Sequence, residues 1–187
     1  LSASQADQLD EWLSNSKSSI RGTSAYPALT GGDTGAANDY LRSLANREGL
    51  PQNTVGAHYL NTSSGVIEAS SREQFVGVRP AEQGAAFAQN PPSFTGPNDT
   101  YVSEPFTIPL VDHPIISVIS PVPGDSNHAL VYMVDLRERA QSISAQRNGS
   151  FTVVVNDEGQ YISHPNTSMI LEESGTNPAS LENLNAG

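Results

Sequence analysis

The chain has 187 residues and a formal net charge of −11. This charge excludes nucleic-acid binding, because a phosphate backbone needs a basic surface, and it equally opposes docking on anionic lipid. The sequence contains no cysteine, which excludes disulfides, thiolate metal ligands and thiol nucleophiles. Apolar residues make up 36% of the chain, which is enough for a globular core.

Lys17 is the only lysine, beside eight arginines. An acidic, lysine-poor surface is typical of proteins in high salt, where screening over a few ångströms removes the self-repulsion of the charges. No apolar run approaches the ~18 residues that a membrane span needs, and no signal peptide is visible. Because Leu1 falls inside a predicted helix, we expect the chain to be part of a longer protein.

Two helices are predicted at the start of the chain. Residues 1 to about 25 form the first, because apolar side chains recur on one helical face, at Leu9, Trp12, Leu13 and Ile20. Tyr26 and Pro27 end it, since the residue before a proline avoids helical backbone. The second helix begins with Asp33 or Thr34 as N-cap, continues with apolar residues at helical spacing and stops at Gly49.

The chain then changes to a pattern that favours strands. Residues 55–60 and 66–70 predict an antiparallel hairpin, joined by a polar turn over residues 61–65. A short helix is predicted over residues 80–89, with proline in its first turn, and the proline-rich residues 90–99 predict a loop. Three further strands are predicted, over residues 101–108, 114–122 and 128–135.

A polar helix is predicted over residues 136–147, followed by a second hairpin with strands at 151–156 and 160–164. The two hairpins share the order strand, asparagine, short polar turn, glycine and strand, with Asn61 and Asn156 in matching places. Two glycine-closed hairpins can agree by chance. If the agreement reflects a repeated module, we expect the second copy to be cut short in this chain.

Motifs for catalysis are weak. Residues 33–36, Asp-Thr-Gly-Ala, match the catalytic loop of aspartic proteases, but that chemistry needs two carboxylates on loops that follow apolar strands. Here a helix follows, and helix capping explains Asp33. The histidines form no metal-binding or nucleophile motif; they are His58, His113, His128 and His164. We therefore expect no enzyme activity, no metal site and no cofactor.

Four N-glycosylation triplets fall on predicted turns; they begin at Asn61, Asn98, Asn148 and Asn166. Asparagine, serine and threonine are common in this chain, so several such triplets arise by chance. The triplets are compatible with an exterior location. They would equally suit a secreted or cell-surface adhesion module without a small-molecule pocket, which stays open as an alternative function.

Asp135 follows an apolar predicted strand, at the point where the chain enters the predicted helix at Leu136. A carboxylate in this position either caps the helix N-terminus or anchors a cationic group of a ligand. Both roles remain open from the sequence, and one residue can fill both.

The order of the predicted elements is more informative than any single motif. It is carried by LDEWLSNSKSSIRGTSAYPAL, HYLNTSSGVIEASSREQFVGV, YVSEPFTIPLVDHPIISVISPV, ALVYMVDLRE and FTVVVNDEGQYISHPN. These segments resemble the stem helix, first hairpin, closing strands and second-module opening of the Cache family, the PAS-like extracytoplasmic sensors of histidine kinases and methyl-accepting chemotaxis transducers.

The resemblance implies an α+β fold, in which a long N-terminal helix lies along a PAS-like antiparallel sheet and a second, smaller PAS-like module begins after it. Residues 1–147 would then form the stem helix and the membrane-distal sensor module. Residues 148–187 would form a partial membrane-proximal module. Together with the lysine-poor surface, the resemblance favours a haloarchaeal protein of double-Cache type.

The resemblance also implies a ligand site. The amino-acid-binding subfamily uses an Arg, a Trp, a Tyr-x-Asp pair and a final Asp; Asp135 matches the last of these. Phe106 and Ile108 stand where the Tyr-x-Asp pair is expected, and the only tryptophan, Trp12, lies in the stem helix. We therefore predict a different polar set that converges on a pocket: Arg79, Tyr101 and Asp135.

The implied function is sensing at the extracytoplasmic face of the cell membrane. A small molecule of unidentified class would bind the distal sheet and favour one arrangement of the sheet against the stem helix. The chain would meet the membrane only through flanking spans that this sequence does not contain. Two further hypotheses stay open. The domain could form a homodimer along the N-terminal helix, and it could sense a protein partner.

Overall fold

A computed structural model describes residues 3–89, 91–137, 154–155, 161–164, 166 and 169. The chain divides into two compact units, Asp10–Asp135 and a second unit composed of Leu1–Leu9 with Leu136–Gly187. The first unit contains the sheet and the sites considered below.

The helices of the described residues are α1 (Ala3–Ser24), α2 (Pro27–Thr30), α3 (Thr34–Asn46) and α4 (Ala86–Gln89), with 3₁₀ turns at Glu73–Phe75 and Pro80–Gln83. The strands of the first unit are β1 (Thr54–Asn61), β2 (Val66–Ser70), β3 (Tyr101–Val102), β4 (Phe106–Ile108), β5 (Val111–Val122) and β6 (Asp125–Asp135). The second unit contains β7 (Val154–Val155) and β8 (Tyr161–Ser163). None of the helices in these described ranges is long and apolar enough to cross a membrane.

One antiparallel sheet connects the predicted hairpin with the predicted closing strands. Its order is β2-β1-β6-β5-β3, and β4 also pairs with β5. β1 lies between β2 and β6, so that His58 is opposite Ser70 on one side and Val131 on the other. The predicted α+β architecture, a PAS-like antiparallel sheet with a long N-terminal helix, is confirmed.

The back face of the sheet, which carries Tyr59 and Tyr132, is covered by helices. The Tyr132 hydroxyl donates to Thr23 Oγ1 of α1 at 2.6 Å, and the Tyr59 hydroxyl donates to the Leu29 carbonyl oxygen of α2 at 3.0 Å. Ile20, Leu29 and Leu41 from the three helices are fully buried. The helices therefore bury the apolar side of their surface against this face of the sheet.

The front face carries alternate residues of the same strands, because opposite residues in an antiparallel sheet point to one side. Its apolar cluster includes Leu60, Ile119, Val131 and Met133 of the sheet. Phe75 and Phe87, from the segments between β2 and β3, cover these residues and are themselves buried. Each large apolar side chain that is fully buried contributes roughly 1.5–3 kcal/mol to folding.

The start of α3 follows the predicted capping pattern. Asp33 has extended backbone, and its Oδ1 accepts hydrogen bonds from the N–H groups of Gly35 at 2.8 Å and Ala36 at 3.1 Å. These are two of the backbone donors that a helix N-terminus leaves without an intrahelical partner. The Asp-Thr-Gly segment is thus a helix cap, as the sequence indicates.

Two predicted elements are divided in the structure. The strand predicted over residues 101–108 is interrupted at residues 103–105, where Ser103 Oγ replaces a backbone acceptor and receives the Ser117 N–H at 2.8 Å. Pro105 has no N–H to offer a neighbouring strand. The helix predicted over residues 80–89 breaks at Gly84, whose φ of 88° is left-handed, and glycine adopts this backbone without steric cost.

The predicted second hairpin appears in the second unit as β7 and β8, which pair antiparallel, with Val154 opposite Ser163. Its turn and most of the polar helix predicted over residues 136–147 lie outside the described residues, as do Asn148 and Asn156. The division predicted between residues 147 and 148 also falls there, and the compact units separate between Asp135 and Leu136. The predicted domain limits stay a prediction.

Candidate ligand-binding site

Arg79 and Asp135, two of the predicted ligand-binding residues, lie near opposite ends of β6. The Arg79 guanidinium donates to the Ser64 carbonyl oxygen in the β1–β2 turn at 2.9 Å and lies 3.7 Å from Glu82. That turn follows Asn61, which pairs with His128 near the start of β6. Asp135 is the last residue of β6. The structure therefore does not bring Arg79 and Asp135 together.

Tyr101, the third predicted residue, lies on β3 opposite Ile119 and packs, partly buried, against the front-face cluster. Asp135 Oδ2 lies 3.1 Å from His113 Nε2, and both side chains are mostly buried. Asp135 thus has a partner on β5 in this structure. A ligand-binding role for Arg79, Tyr101 and Asp135 stays a prediction.

A cleft of about 560 Å³ lies at the turn between β5 and β6. We call it the β5–β6 cleft. Residues 91–97 form one wall, including Phe94, and residues 121–126 with His128 form the other. Its size is typical of small-molecule sites, and five prolines with Phe94 give it apolar walls. The prolines are Pro91, Pro92, Pro97, Pro121 and Pro123.

His128, in the wall of this cleft, lies between two carboxylates. Its Nδ1 is 2.6 Å from Asp125 Oδ2, and its Nε2 is 3.0 Å from Glu68 Oε2. Asn61 Nδ2 donates to the other Glu68 oxygen at 2.9 Å. An ionised carboxylate only accepts hydrogen bonds, so both contacts are satisfied together when both imidazole nitrogens carry a proton.

The electrostatics of the cleft are set by Asp125. Burial acts to raise the pKa of its carboxyl group, but hydrogen bonds from the Asn127 N–H, His128 and Tyr59 outweigh burial and hold the pKa below its usual range. Burial, followed by the charge of Asp125, raises the pKa of the Tyr59 hydroxyl. At neutral pH, the cleft wall therefore carries an ionised carboxylate, and Tyr59, which contacts that carboxylate, is neutral.

Tyr59 connects this wall to the helices on the back face. Its ring stacks on the His128 ring, with centroids 4.3 Å apart and planes at 10°. Its hydroxyl is 3.2 Å from Asp125 Oδ2 and 3.0 Å from the Leu29 carbonyl oxygen of α2. A change in the position of His128 or Asp125 therefore acts directly on a contact of the helical layer.

The front face contains two buried polar side chains away from the cleft. His58 is fully buried, and burial together with the charge of Arg72 lowers its pKa from 6.5 to about 3. Its Nδ1 hydrogen-bonds Ser70 Oγ at 2.9 Å. His58 Nε2 and Ser117 Oγ make no hydrogen bond to any residue that the structure describes. Within the same described ranges, no three His, Asp or Glu side chains are grouped to hold a metal ion.

The sequence did not point to the β5–β6 cleft, where the signals are short and separate. The sequence around Phe94 predicts only a proline-rich loop, and the sequence around His128 indicates only a structural histidine. Glu68 and His128 are 60 positions apart, so their contact depends on sheet register. The one local sign is the i, i+3 spacing of Asp125 and His128.

No protein-family model matches the sequence. The sequence is similar to transducer protein Htr18 of Halobacterium salinarum, with 25% identity over 155 residues. The match covers 83% of this chain and 18% of that protein. The chain thus corresponds to a small part of the transducer.

Solved structures with a similar fold include chemoreceptor ligand-binding domains. The domain of Pseudomonas fluorescens CtaA, in complex with L-serine, gives a TM-score of 0.68 at 16% identity and covers 90% of this chain and 71% of its own. The domain of Pseudomonas aeruginosa PAO1 PctB, in complex with L-Gln, gives 0.64 at 13%, covering 90% and 67%.

A third similar structure is the extracellular domain described for a histidine kinase, mmHK1S-Z2. It gives a TM-score of 0.67 at 16% identity and covers 97% of this chain and 77% of its own. The resemblance indicated by the sequence is therefore confirmed: the chain has the PAS-like fold of the ligand-binding domains of chemoreceptors.

Proposed function

We propose that this chain is the extracytoplasmic ligand-sensing domain of a transmembrane signal transducer, a chemoreceptor or a sensor histidine kinase, and that it performs no bond chemistry. The observation that carries the proposal is the fold shared with ligand-bound chemoreceptor domains over 90% of the chain. The transducer from Halobacterium salinarum supports the same class. Membrane spans would flank the domain in the whole protein.

The ligand site we propose is the β5–β6 cleft, and the ligand is a small molecule with an ammonium group. The charges near the cleft favour a cation, because Asp125 in its wall is an ionised carboxylate and a second carboxylate, that of Glu68, contacts the other nitrogen of His128. The apolar walls would hold the rest of the ligand. L-Serine and L-Gln, named with the similar domains, also carry an ammonium group.

Signalling would pass through Tyr59. A cation near Asp125 competes with His128 for the carboxylate, and this competition changes the contact of the Tyr59 hydroxyl with Asp125 and with Leu29 of α2. A ligand can shift the helices only as far as its affinities for the two arrangements differ. The stacked rings of Tyr59 and His128 connect the cleft with α2, so a difference in ligand affinity would act on the helices through this pair.

A shape-matched pair of compounds tests the ligand class. Choline carries a quaternary ammonium group, and neohexyl alcohol has carbon in place of that nitrogen. We expect choline to raise the melting temperature and the neutral alcohol to leave it unchanged. A ligand at 100 times its dissociation constant stabilises the fold by ~2.7 kcal/mol. Equal effects of the two compounds would show that the charge of the cleft does not select the ligand.

Variants locate the binding. Asp125→Asn removes the negative charge of the cleft wall and should abolish the effect of choline. Asp39→Asn removes one negative charge from the exposed side of α3 and should leave the effect unchanged. If both variants respond to choline like the parent protein, the site is not the β5–β6 cleft.

We further propose that the domain pairs with a second copy along α1. The support is the resemblance to stem helices of sensor domains. Light scattering at increasing protein concentration should show a shift from monomer to dimer. A purely monomeric protein at the highest concentration would exclude pairing through α1.

A further inference from the structure

Two of the four N-glycosylation triplets lie entirely within the described residues, the first triplet at 61–63 and the second triplet at 98–100. Both have the same acceptor motif, an asparagine followed two residues later by a hydroxyl side chain. A sugar is attached to an asparagine on the surface, where a transferase can reach the side chain. The local structure therefore decides which of the two triplets can be modified.

The asparagine of the first triplet, Asn61, is held at the end of β1. Its Oδ1 accepts the N–H groups of Ser63 and Ser64, each at 3.0 Å, and its Nδ2 donates to Glu68 Oε1 at 2.9 Å. Its backbone is paired on both sides, with β2 and with β6. The nitrogen that would carry a sugar is thus bound to a carboxylate, in a half-buried position.

The asparagine of the second triplet, Asn98, lies in an exposed turn. The Asp99 N–H donates to the Gly96 carbonyl oxygen at 3.1 Å, which places Pro97 and Asn98 at the two central positions of a β-turn. Proline is favoured at the first of these positions because its ring fixes φ. Asn98 is exposed, and no residue in the range 91–100 is buried. The Asn98 side chain makes no hydrogen bond to any residue that the structure describes.

Asp99, the middle residue of the second triplet, stabilises this turn. Its Oδ2 accepts the Thr95 N–H at 2.6 Å, the Thr95 hydroxyl at 2.8 Å and the Gly96 N–H at 3.0 Å. These hydrogen bonds, above all that from the Thr95 hydroxyl, lower the pKa of the Asp99 carboxyl group. The ionised carboxylate is therefore occupied by Thr95 and Gly96, and it leaves the amide group of Asn98 accessible.

Thr100 supplies the hydroxyl of the second triplet. It is partly exposed, and its side chain makes no hydrogen bond within the part of the chain that the structure describes. In the first triplet, the N–H of Ser63 is bonded back to Asn61 Oδ1, and Ser63 Oγ lies 3.5 Å from Asn127 Oδ1. The second triplet is thus accessible at both residues of the acceptor motif, whereas the first triplet is in contact with its neighbours at both.

We propose that Asn98 is an N-glycosylation site and that Asn61 is not modified. In the transfer, Nδ2 of Asn98 forms a bond with C1 of the first sugar, and the bond between C1 and the phosphate oxygen of a lipid-linked oligosaccharide breaks. The lipid phosphate is the leaving group, and one Nδ2 proton passes to a base of the transferase. This modification rests on the proposed function, because N-glycans are transferred to proteins on the extracytoplasmic side of a membrane.

A glycan on Asn98 is compatible with a ligand in the β5–β6 cleft. Gly96 and Pro97, which precede Asn98, line the cleft, whereas Asn98 itself does not. The glycan would therefore be attached beside the cleft and would leave its lining residues unmodified.

Peptide mass spectrometry of the whole receptor, purified from the membranes of the cells that make it, tests the assignment. Trypsin cleaves after lysine and arginine except before proline, so the two triplets fall on separate peptides, 48–72 and 73–137. The other two triplets follow Arg147 and fall on neither peptide. We expect a glycan mass on peptide 73–137 and none on peptide 48–72. A glycan on peptide 48–72, or peptide 73–137 without one, would overturn the proposal.

Two substitutions at Thr100 form a matched pair. Thr100→Ser keeps the hydroxyl and should keep the glycan, whereas Thr100→Ala removes the hydroxyl and should remove the glycan although Asn98 is unchanged. Asn98→Gln should also remove the glycan, and Asn61→Gln should leave it in place. A glycan retained on peptide 73–137 in Thr100→Ala, or lost in Asn61→Gln, would contradict transfer to the motif at Asn98.

The location of the domain is measured separately. Lys17, the only lysine of the chain, is partly exposed on α1, and a membrane-impermeant amine reagent labels it on intact cells only if the domain lies outside. A labelled Lys17 with an unmodified peptide 73–137 would overturn the glycosylation site and leave the proposed sensing domain intact. An unlabelled Lys17 with an unmodified peptide 73–137 would contradict the extracytoplasmic location and the glycosylation together.

Discussion

The imidazole ring of His128 lies parallel to the phenol ring of Tyr59, with centroids 4.3 Å apart and planes at 10°. His128 forms part of a cleft wall, and Tyr59 bonds to α2 on the back face of the sheet. The two residues are neighbours on antiparallel strands, with Tyr59 opposite Leu130 and Asn61 opposite His128. The register between β1 and β6 thus places Tyr59 beside His128, and this contact connects the cleft with the helical layer.

Tyr59→Phe should destabilise the fold while keeping the ring stack. The hydroxyl lies within hydrogen-bond distance of the Leu29 carbonyl oxygen and Asp125 Oδ2, and Tyr59 is fully buried. Loss of a buried partner costs about 1–3 kcal/mol. Urea unfolding followed by circular dichroism would measure the change.

Tyr26→Phe is the matched control. Tyr26 is 49% exposed and stacks on Tyr40, with centroids 4.1 Å apart. In the parent protein water can hydrogen-bond to the hydroxyl of this exposed residue, so removing the hydroxyl should change the stability by less than about 0.5 kcal/mol. Equal effects of the two variants would show that the hydrogen bonds of Tyr59 contribute nothing specific.

Stability should fall as the pH drops below 6.5, because of His58. Its pKa is lowered from 6.5 to about 3 by burial and by the charge of Arg72. Between these values the unfolded chain binds a proton that the folded chain does not, so stability is full above pH 6.5 and is lost as the pH falls toward 3. The slope approaches about 1.4 kcal/mol per pH unit, and urea unfolding at several pH values would measure it.

The His58→Gln variant isolates the contribution of His58 to the pH dependence of stability. The difference in unfolding free energy between parent and variant should change with pH over the same window, while the ionised carboxylates contribute equally to both. If the variant does not fold, the imidazole carbon signals of the parent provide a second measurement. A fully protonated His58 ring at pH 5 in the folded protein would contradict the lowered pKa.

The sequence was sufficient to predict the architecture, because the signals for the elements are local. Asp33 is a capping residue followed by apolar residues at helical spacing, and it caps α3. The two strands predicted over residues 55–60 and 66–70, with a polar turn between them, form the β1–β2 hairpin. Such patterns involve residues that are close in sequence, so they can be recognised without knowledge of tertiary contacts.

The candidate sites were not predictable in the same way. His128, Glu68 and Tyr59 come together through strand order and register, which no local pattern specifies. Arg79 and Asp135 were grouped as pocket residues, but the structure places one at the β1–β2 turn and the other at the far end of β6. Resemblance can indicate that a pocket exists, whereas the side chains that share it depend on the folded geometry.

Phe75→Ala tests the front-face core. Phe75 is fully buried, and its ring centroid is 4.6 Å from that of His58. Truncation of a buried phenylalanine costs about 3–5 kcal/mol through lost burial and the cavity left behind. Val76→Ala, at the adjacent and 43% exposed position, should cost less than about 1 kcal/mol. Similar losses in both variants, measured by thermal unfolding, would mean that the cluster around Phe75 is loosely packed.

Asp33→Ala should weaken α3 by about 1 kcal/mol, because it removes the acceptor of the Gly35 and Ala36 N–H groups. Asp33→Ser, which keeps an acceptor oxygen, should recover most of this loss. Asp39→Ala, at an exposed position within α3, controls for the change in charge. A serine variant as unstable as the alanine variant would contradict the capping role.

Gly56→Ala is expected to destabilise the fold, although alanine in place of glycine usually stabilises by about 0.4–1 kcal/mol through the unfolded state. A Cβ atom at Gly56 would lie 2.7 Å from His58 Cε1 and 2.9 Å from Nε2. The ring cannot easily move, since Ser70 holds Nδ1 at 2.9 Å and Phe75 contacts one side. We expect a loss of about 1–3 kcal/mol from the overpacking.

A double-mutant cycle separates this clash from other effects of the alanine. In the His58→Ala background the imidazole is absent, so Gly56→Ala should cost little or should stabilise the protein. The coupling energy between the two positions should then lie between about 0.5 and 3 kcal/mol, the range for side chains in contact. A coupling energy near zero would mean that His58 does not lie over Gly56, and the buried, neutral state inferred for its imidazole would lose its geometric basis.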